Sequence, residues 1–293
     1  MSTDIPGPIS RAYFSQRLRL HYVDWGNPEK PPLLLVHGGR DHCRNWDWVA
    51  QRLRNDWHII APDLRGHGDS EWIKGGVYTM SDYVCDIAQL VHQLELKPLT
   101  IIGHSLGGAI TLRYTGLFPE TVVKAVAIEG LGSSPDKIAE RAKIPTHERI
   151  VKWMAEMRDL SGRIPRRYAT FEEAVDRMQA ANPHLSPERA EHLTVHGMNR
   201  NEDGTWSWKF DNYVRADRPT GLDPNETYAL WARITCPTLL VRGMESWASD
   251  PEKDGRAKHF RNARVANIAN AGHWVHHDQL DEFMDLVTAF LAE

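Results

Sequence analysis

Short apolar runs alternate with amphipathic stretches along the first half of the chain. Continuous runs of this length are typical of strands in a parallel sheet that is buried on both faces. A weaker alternation over Tyr13–Asp24 indicates an antiparallel lead-in before them. The predicted buried strands are Pro32–His37, His58–Asp63, Leu99–His104 and Val122–Glu129.

Helical spacing separates these runs. Apolar residues between Tyr83 and Leu94 recur every 3.6 positions, and Ser81 is the predicted N-cap of that helix. A second helical stretch, Leu106–Phe118, ends before Pro119, where a helix is expected to stop. Strand and helix in this order predict right-handed βαβ units, and therefore an α/β fold with a mostly parallel twisted sheet.

The pattern changes at about residue 133 and resumes at about residue 233. The intervening segment is charged, contains several prolines and is mostly helical in period, with a predicted hairpin around Trp206–Phe210. Strands are predicted again at Thr238–Arg242 and Arg264–Ala269, before a closing amphipathic helix. We therefore expect a core of residues 1–132 and 233–293, interrupted by a cap of residues 133–232. The helices predicted within the cap are His147–Leu160, Phe171–Ala181 and Pro187–His196.

Composition narrows the class of protein. Of 293 residues, 41% are apolar and 25% charged, which is ordinary for a globular chain. A net charge of −4 argues against a nucleic-acid partner, and no apolar run approaches the roughly 20 residues of a membrane span. The segment Met1–Pro8 lacks the features of a signal peptide. Three widely spaced cysteines predict free thiols and a cytoplasmic protein, and the oligomeric state is not readable.

The motif with the clearest chemistry is Gly103-His104-Ser105-Leu106-Gly107, a G-x-S-x-G sequence between a predicted strand and a predicted helix. A sharp strand-to-helix turn requires small neighbours and presents the serine hydroxyl at the N-terminus of the helix. The helix dipole favours negative charge there. Ser105 is therefore the predicted nucleophile.

Four segments together resemble the α/β-hydrolase family, and the resemblance extends over nearly the whole chain. They are His37-Gly38-Gly39, Asp63–Ser70, Gly103–Gly108 and Ala271-Gly272-His273-Trp274. The resemblance implies that His273 is the base that activates Ser105. It also implies an oxyanion hole formed by the backbone N–H of Leu106 and of Gly39, with Arg40 as the alternative.

The acid that should orient His273 departs from the usual family pattern. Many relatives carry an aspartate three or four residues beyond the glycine that here is Gly243, but Ser246 and Trp247 occupy those positions. A second location in the family, the end of the preceding core strand, corresponds to Glu129, as in haloalkane dehalogenases and zearalenone-type lactone hydrolases. A carboxylate there is hard to explain as a core residue. Glu129 is the preferred candidate, followed by Glu245 and then Asp250.

A serine nucleophile favours an acyl-enzyme and therefore a small-molecule ester or lactone as substrate. The chemistry requires no metal or organic cofactor, and none is indicated. A carbon–carbon bond hydrolase of the same fold, or a non-catalytic hydrolase-like receptor, are the alternatives. Aromatic residues near the motifs and in the cap predict a bulky apolar substrate. The candidate pocket residues are Trp153, Met154, Trp206, Trp208, Trp247 and Trp274.

Overall fold

A computed structural model describes residues 7–216 and 223–293. The sequence predicts no signal peptide in Met1–Pro8, and residues 1–6 of that segment lie outside the described residues. The strands are β1 (Ile9–Ser15), β2 (Leu18–Asp24), β3 (Pro32–Val36), β4 (His58–Pro62), β5 (Leu99–His104), β6 (Val122–Ile128), β7 (Arg167–Tyr168), β8 (Met198–Arg200), β9 (Trp206–Trp208), β10 (Thr238–Gly243) and β11 (Ala263–Ile268). The helices are α1 (Asp47–Leu53), α2 (Met80–Gln93), α3 (Leu106–Leu117), α4 (Pro135–Ala142), α5 (Thr146–Leu160), α6 (Phe171–Ala181), α7 (Pro187–Gly197), α8 (Pro224–Trp231), α9 (Val275–Asp278) and α10 (Leu280–Ala292).

Eight of these strands form one sheet, in the order β1-β2-β4-β3-β5-β6-β10-β11. The pairs from β4 to β11 are parallel, whereas β2 is antiparallel to both β1 and β4. This confirms the predicted α/β class and the antiparallel lead-in. Because the carboxyl ends of parallel strands lie along one edge, the loops after β3, β5, β6, β10 and β11 meet there.

Strand β3 shows why the central strands are apolar throughout. Leu34 and Val36 face the layer that contains α2 and α3, whereas Leu33 and Leu35 face the layer that contains α1 and α10. All four side chains are buried. Helices therefore cover both faces of the sheet, and each successive residue of the strand meets a hydrophobic core.

The predicted N-cap of α2 is wrong by two residues. Thr79 is extended, with φ −100° and ψ 150°, and its hydroxyl accepts the N–H of Asp82 at 3.0 Å. Capping requires an extended residue whose side chain faces back to the first turn. Ser81 already lies inside the helix, so it does not meet that requirement.

The segment after β6 forms a separate layer of helices α4–α7 with a small sheet of order β7-β9-β8. Tyr168, Ala174 and Met198 form its own buried cluster. Helix α8 differs, because it packs on α3: Trp231 is buried in the core, and a Cβ on Gly116 would lie 2.4 Å from the carbonyl oxygen of Leu230. Helix α8 therefore packs with the core layer, and the division into a core and a cap that ends at residue 232 stays a prediction.

Among residues 7–216 and 223–293, no helix has both the length and the apolar character that a membrane span requires. Cys43 and Cys236 are buried free thiols, and Cys85 is an exposed one.

Candidate active site

Ser105 occupies the turn between β5 and α3. Its φ of 52° and ψ of −112° lie in a region that residues with a side chain rarely adopt. The turn is held because the N–H of Ser105 donates to the carbonyl oxygen of Ile128 at 2.8 Å and α3 starts at the next residue. The hydroxyl is thereby presented at the helix N-terminus.

Glycines around this turn allow three elements to approach closely. A Cβ on Gly103 would lie 2.3 Å from the carbonyl oxygen of Gly107. A Cβ on Gly107 would lie 2.1 Å from that of Val36, in β3. Real Cβ atoms do not approach oxygen so closely. Glycine is therefore required at both positions for steric reasons, whatever reaction Ser105 takes part in.

His273 lies in the loop after β11 and links two other side chains. Its Nε2 is 2.9 Å from Oγ of Ser105, and its Nδ1 is 2.6 Å from Oε2 of Glu129. The side chain of His273 is 21% exposed and that of Glu129 is fully buried. The structure therefore brings together three residues that the sequence analysis selected from distant parts of the chain.

Glu129 directly follows β6 and has a positive φ of 51°. Its carboxylate has two further donors: the N–H of Gly243 at 2.9 Å from Oε1, and the hydroxyl of Ser246 at 2.5 Å from Oε2. Because a carboxylate only accepts hydrogen bonds, His273 donates its Nδ1–H to it. The lone pair of Nε2 then faces the hydroxyl of Ser105.

The other two acid candidates lie elsewhere. Glu245 is half exposed, and Oε2 is 3.5 Å from Nε2 of His184. Asp250 accepts the N–H of Glu252 and lies 3.7 Å from Nζ of Lys253. Neither has a hydrogen bond or ion pair to His273 in the described part of the chain.

Ser246 is a site residue that the sequence analysis did not recognise. Many relatives have an aspartate at this position, so the sequence marks it only as a place where this chain differs from them. Its hydroxyl donates to Glu129 and accepts the N–H of Ala248 at 3.2 Å. The position at which many relatives have an aspartate therefore holds, in this chain, a hydroxyl that donates to Glu129.

His104 is a second residue whose part was missed. It is buried, and its Nε2–H donates to the carbonyl oxygen of His273 at 2.9 Å. Burial, followed by the nearby imidazoles of His276 and His273, keeps the pKa of His104 well below its usual value. A neutral His104 thus holds the backbone of the loop that carries His273. The sequence offers no signal for this, since the middle positions of the motif vary.

The candidate oxyanion residues lie beside Ser105. Gly39, Arg40 and Leu106 all line the cavity above it, and a Cβ on Gly39 would lie 3.9 Å from the Leu106 side chain. Leu106 is the first residue of α3, so its N–H has no partner within the helix. His37 shapes the preceding loop, because Nε2 accepts the N–H of Leu64 at 2.9 Å and Nδ1–H donates to Gly38.

The cavity above Ser105 has a volume of about 1060 Å³. Trp208, Trp247 and Trp274 line it, as expected, and the Trp247 ring centroid lies 4.9 Å from that of His273. Three other candidates, Trp153, Met154 and Trp206, lie outside the lining. Met154 is half exposed on α5, and the ring of Trp206 packs against Phe171 within the layer that follows β6. The periodicity of the sequence predicts the helix or strand that holds these residues, but it does not predict whether their side chains face the cavity.

The lining is also less apolar than the sequence analysis predicted. Besides the aromatic rings it contains five guanidinium groups. They belong to Arg40, Arg163, Arg166, Arg177 and Arg215.

Two clusters in the described residues have the composition of metal ligands. In the first, His21, Cys43 and Asp63 are buried, and Asp63 accepts hydrogen bonds from His21 and from the backbone of Cys43. Burial alone would raise the pKa of Asp63, but the His21 hydrogen bond and charge outweigh it and lower the pKa. The Asp63 carboxylate therefore fixes the loop formed by the segment Asp63–Ser70, because it also accepts the N–H of Asp69.

The second cluster is Asp47, His192 and His196. Both oxygens of Asp47 accept Nε–H of Arg44, at 2.9 and 2.8 Å. Arg44 already pairs with this carboxylate, and Nε2 of His192 lies 3.0 Å from its Oδ2, so the cluster links α1 to α7 through a hydrogen bond. The predicted absence of a metal stays a prediction.

Comparison with known proteins gives the wider context. A family model described as the alpha/beta hydrolase family matches residues 33–286. The chain is 26% identical to an esterase of Mycobacterium tuberculosis, over 98% of this chain and 91% of the relative. It is 28% identical to a 3-hydroxybutyrate-oligomer hydrolase of Cupriavidus necator, over 86% and 87% of the two chains. The solved structure of a thioesterase domain from the curacin biosynthetic pathway superposes with a TM-score of 0.81 at 21% identity, covering 97% of this chain and all of the other. At that identity the superposition shows a shared fold.

Proposed function

The chain belongs to the alpha/beta hydrolase family, and we propose that it is a serine hydrolase that cleaves a carboxylic ester or lactone through an acyl-enzyme. One observation carries the proposal. Glu129, His273 and Ser105 form a continuous hydrogen-bond chain, with 2.6 Å and 2.9 Å between successive heavy atoms, and it ends at the large cavity. A base that is oriented by a third group and within reach of a hydroxyl is the arrangement that activates a serine.

In the first half of the reaction, Ser105 Oγ attacks the carbonyl carbon of the ester. Nε2 of His273 takes the hydroxyl proton, and the carbonyl electron pair moves to oxygen. The N–H groups of Leu106 and Gly39 stabilise that oxyanion, and each such donor is worth roughly 3 to 4 kcal/mol in other enzymes. When the tetrahedral intermediate collapses, the alcohol leaves with the proton from His273. The ester bond is then replaced by a bond to Ser105.

In the second half, water repeats the sequence. His273 accepts a proton from water, whose oxygen attacks the acyl carbon, and then returns the proton to Oγ of Ser105 as the acid is released. Glu129 stays a hydrogen-bond acceptor throughout. It stabilises the imidazolium each time it forms and keeps Nε2 directed at the serine.

Several observations support an ester as the substrate class. The nucleophile position holds a serine, which forms an acyl-enzyme with a carbonyl compound, and the similar proteins include the esterase of Mycobacterium tuberculosis and the 3-hydroxybutyrate-oligomer hydrolase of Cupriavidus necator. We also propose that the layer after β6 is a cap, because residues of α5, α6 and β9 line the cavity that contains Ser105. The volume of that cavity favours a bulky acyl or alcohol group.

The test combines labelling with kinetics. A fluorophosphonate probe is expected to label the folded wild-type protein and not the Ser105→Ala variant, and p-nitrophenyl acetate is expected to give a burst of nitrophenol before steady state. A wild-type protein that is folded by circular dichroism but is not labelled would contradict the proposal and favour a binding protein. Labelling without ester or lactone turnover, together with cleavage of a vinylogous diketone, would indicate a carbon–carbon bond hydrolase instead.

A further inference from the structure

Five arginines face the same cavity as Ser105, although they come from four separate segments. Arg40 follows the candidate oxyanion residue Gly39 in the loop after β3. The other four belong to the cap layer: Arg163 and Arg166 lie between α5 and β7, Arg177 lies on α6, and Arg215 lies after β9. The five arginines therefore share the cavity, although no single helix or loop contains all of them.

Negative charge does not balance them within the described residues. The carboxylates that line the cavity are Glu245, which lies 3.5 Å from Nε2 of His184, and Asp278, which accepts the N–H of Gly272 at 2.8 Å. No ion pair joins any of the five arginines to a carboxylate in residues 7–216 and 223–293. The whole chain has a net charge of −4, so the cavity has the opposite sign to the protein.

The arginines are also close enough to affect one another. Burial, and then the positive charges of Arg40, Arg163 and Arg177, lower the pKa of Arg215. Uncompensated cations that repel each other destabilise the free protein. An anion between them would remove that repulsion.

Two of the guanidinium groups are positioned by aromatic rings. That of Arg166 lies over the ring of Tyr168, 4.9 Å from its centre, and that of Arg215 lies over Phe210, at 5.3 Å. A guanidinium stacked on a ring keeps its N–H donors in its own plane, where they remain available to a ligand. Stacking therefore restricts these side chains without using their hydrogen bonds.

We infer that the substrate carries, besides the scissile ester, an anionic group (a carboxylate or a phosphate) that the cavity arginines bind. The inference extends the proposed serine hydrolase function and rests on it. Guanidinium binds both kinds of anion through paired N–H donors, which gives orientation as well as affinity. The aromatic side chains of the lining, among them Trp208 and Trp274, contact the apolar body of such a substrate. The substrate is thus bulky and amphipathic, and not purely apolar as the sequence indicated.

The test compares esters that differ only in charge. Mono-p-nitrophenyl adipate and its methyl ester share the leaving group and the acyl chain, and 4-acetoxybenzoate and its methyl ester place the charge on the alcohol side. We expect kcat/KM to favour the charged member of at least one pair by about tenfold, and the preference to fall with added salt. Equal values in both pairs at low salt would overturn the inference while leaving the serine hydrolase proposal intact.

Variants locate the effect. Arg166→Gln and Arg215→Gln are each expected to lower the charged-to-neutral ratio of kcat/KM by about fivefold to tenfold, since each removes a charge-assisted contact. Arg167→Gln is the matched control, because Arg167 is next in sequence, pairs with Asp203 and lies outside the lining. A fall in the ratio for Arg167→Gln equal to that for Arg166→Gln would count against the assignment.

A binding measurement separates the two proposals. Calorimetry with the Ser105→Ala variant requires no turnover, and adipate and phenyl phosphate as titrants distinguish a carboxylate site from a phosphate site. We expect one of them to bind, and to bind at least fivefold more weakly when Arg215→Gln is added. Binding of neither anion would overturn the inference, whatever the esterase assays show.

Discussion

Oε2 of Glu129 lies 2.6 Å from Nδ1 of His273, although 144 residues separate them in the chain. The contact forms because β6 and β11 flank β10 in the sheet and both end at the same edge. The same carboxylate accepts a backbone N–H from the end of β10, so all three strand ends determine its position.

Glu129→Gln is expected to lower kcat by about 10³- to 10⁴-fold, the range seen when the acid of a comparable triad becomes an amide. The amide keeps the shape but can donate to Nδ1, which favours the wrong tautomer of His273. Steady-state hydrolysis of p-nitrophenyl butyrate measures the loss. Glu245→Gln and Asp250→Asn are the controls, since neither carboxylate contacts His273. A near-normal kcat for Glu129→Gln would remove it from the mechanism.

Ser246→Ala is expected to lower kcat by about tenfold with little change in KM. The variant removes one hydrogen bond to a buried carboxylate, which is worth on the order of 1.5–3 kcal/mol, and part of that loss falls on the orientation of His273. Ser249→Ala is the matched control, because the hydroxyl of Ser249 contacts Asp254 and Arg256 away from His273. If KM rises and kcat stays constant, Ser246 contributes to binding and not to positioning.

Gly107→Ala is expected to destabilise the protein by roughly 1–3 kcal/mol, the usual cost of adding a methyl group to a tightly packed interior. The new Cβ would lie 2.1 Å from the carbonyl oxygen of Val36, which belongs to the backbone of β3 and has little freedom to move. Urea denaturation measures the difference. Gly7→Ala is the control, because no atom lies within 4 Å of its added Cβ. Equal stability of the two variants would contradict the close approach.

Asp41→Asn is expected to change how stability depends on pH. Burial raises the pKa of Asp41 to about 8, and the backbone N–H of His42 donates to its Oδ1. The usual value is near 4, so the folded protein retains a proton that the unfolded chain has released between pH 4 and pH 8. Stability from this group is therefore complete below pH 4 and is lost as pH rises through about 8.

The asparagine variant has no proton to lose. Its Tm minus that of the wild type is expected to increase between pH 5 and pH 9, by at least about 2 °C, the shift that roughly 1 kcal/mol produces in a chain of this size. Differential scanning calorimetry at several pH values measures it. A constant difference over that interval would show that Asp41 does not titrate there.

The strands and helices could be predicted from the sequence because each one follows from the spacing of apolar residues over a short stretch. Strand β5 and helix α6 begin and end at the predicted residues, since an apolar run or a helical period continues as far as the element does. The mostly helical segment after β6 was also visible as a change in period. The affiliation of α8 was not, because its contact with Gly116 of α3 involves two helices that are far apart in the chain.

The candidate site divides in the same way. Ser105 lies in a G-x-S-x-G motif between an apolar run and a helical stretch, and so it is visible in the sequence, as is a histidine in the last glycine-containing loop. The choice among Glu129, Glu245 and Asp250 was open, because all three are carboxylates near strand ends. The tertiary structure decides it. The backbone of Glu245 also contacts the loop after β11, but among the three only the carboxylate of Glu129 reaches Nδ1 of His273.

The sequence by itself determined the class of fold, the strained turn at Ser105 and the residue types available for acyl transfer, because these follow from spacing and backbone sterics over a few residues. The tertiary structure alone decided which carboxylate meets His273, and that His104 and Ser246 support that pair. It also decided that five scattered arginines share one cavity. These relationships join side chains from different segments of the chain, and their distances depend on strand order and crossover direction, which no local pattern specifies.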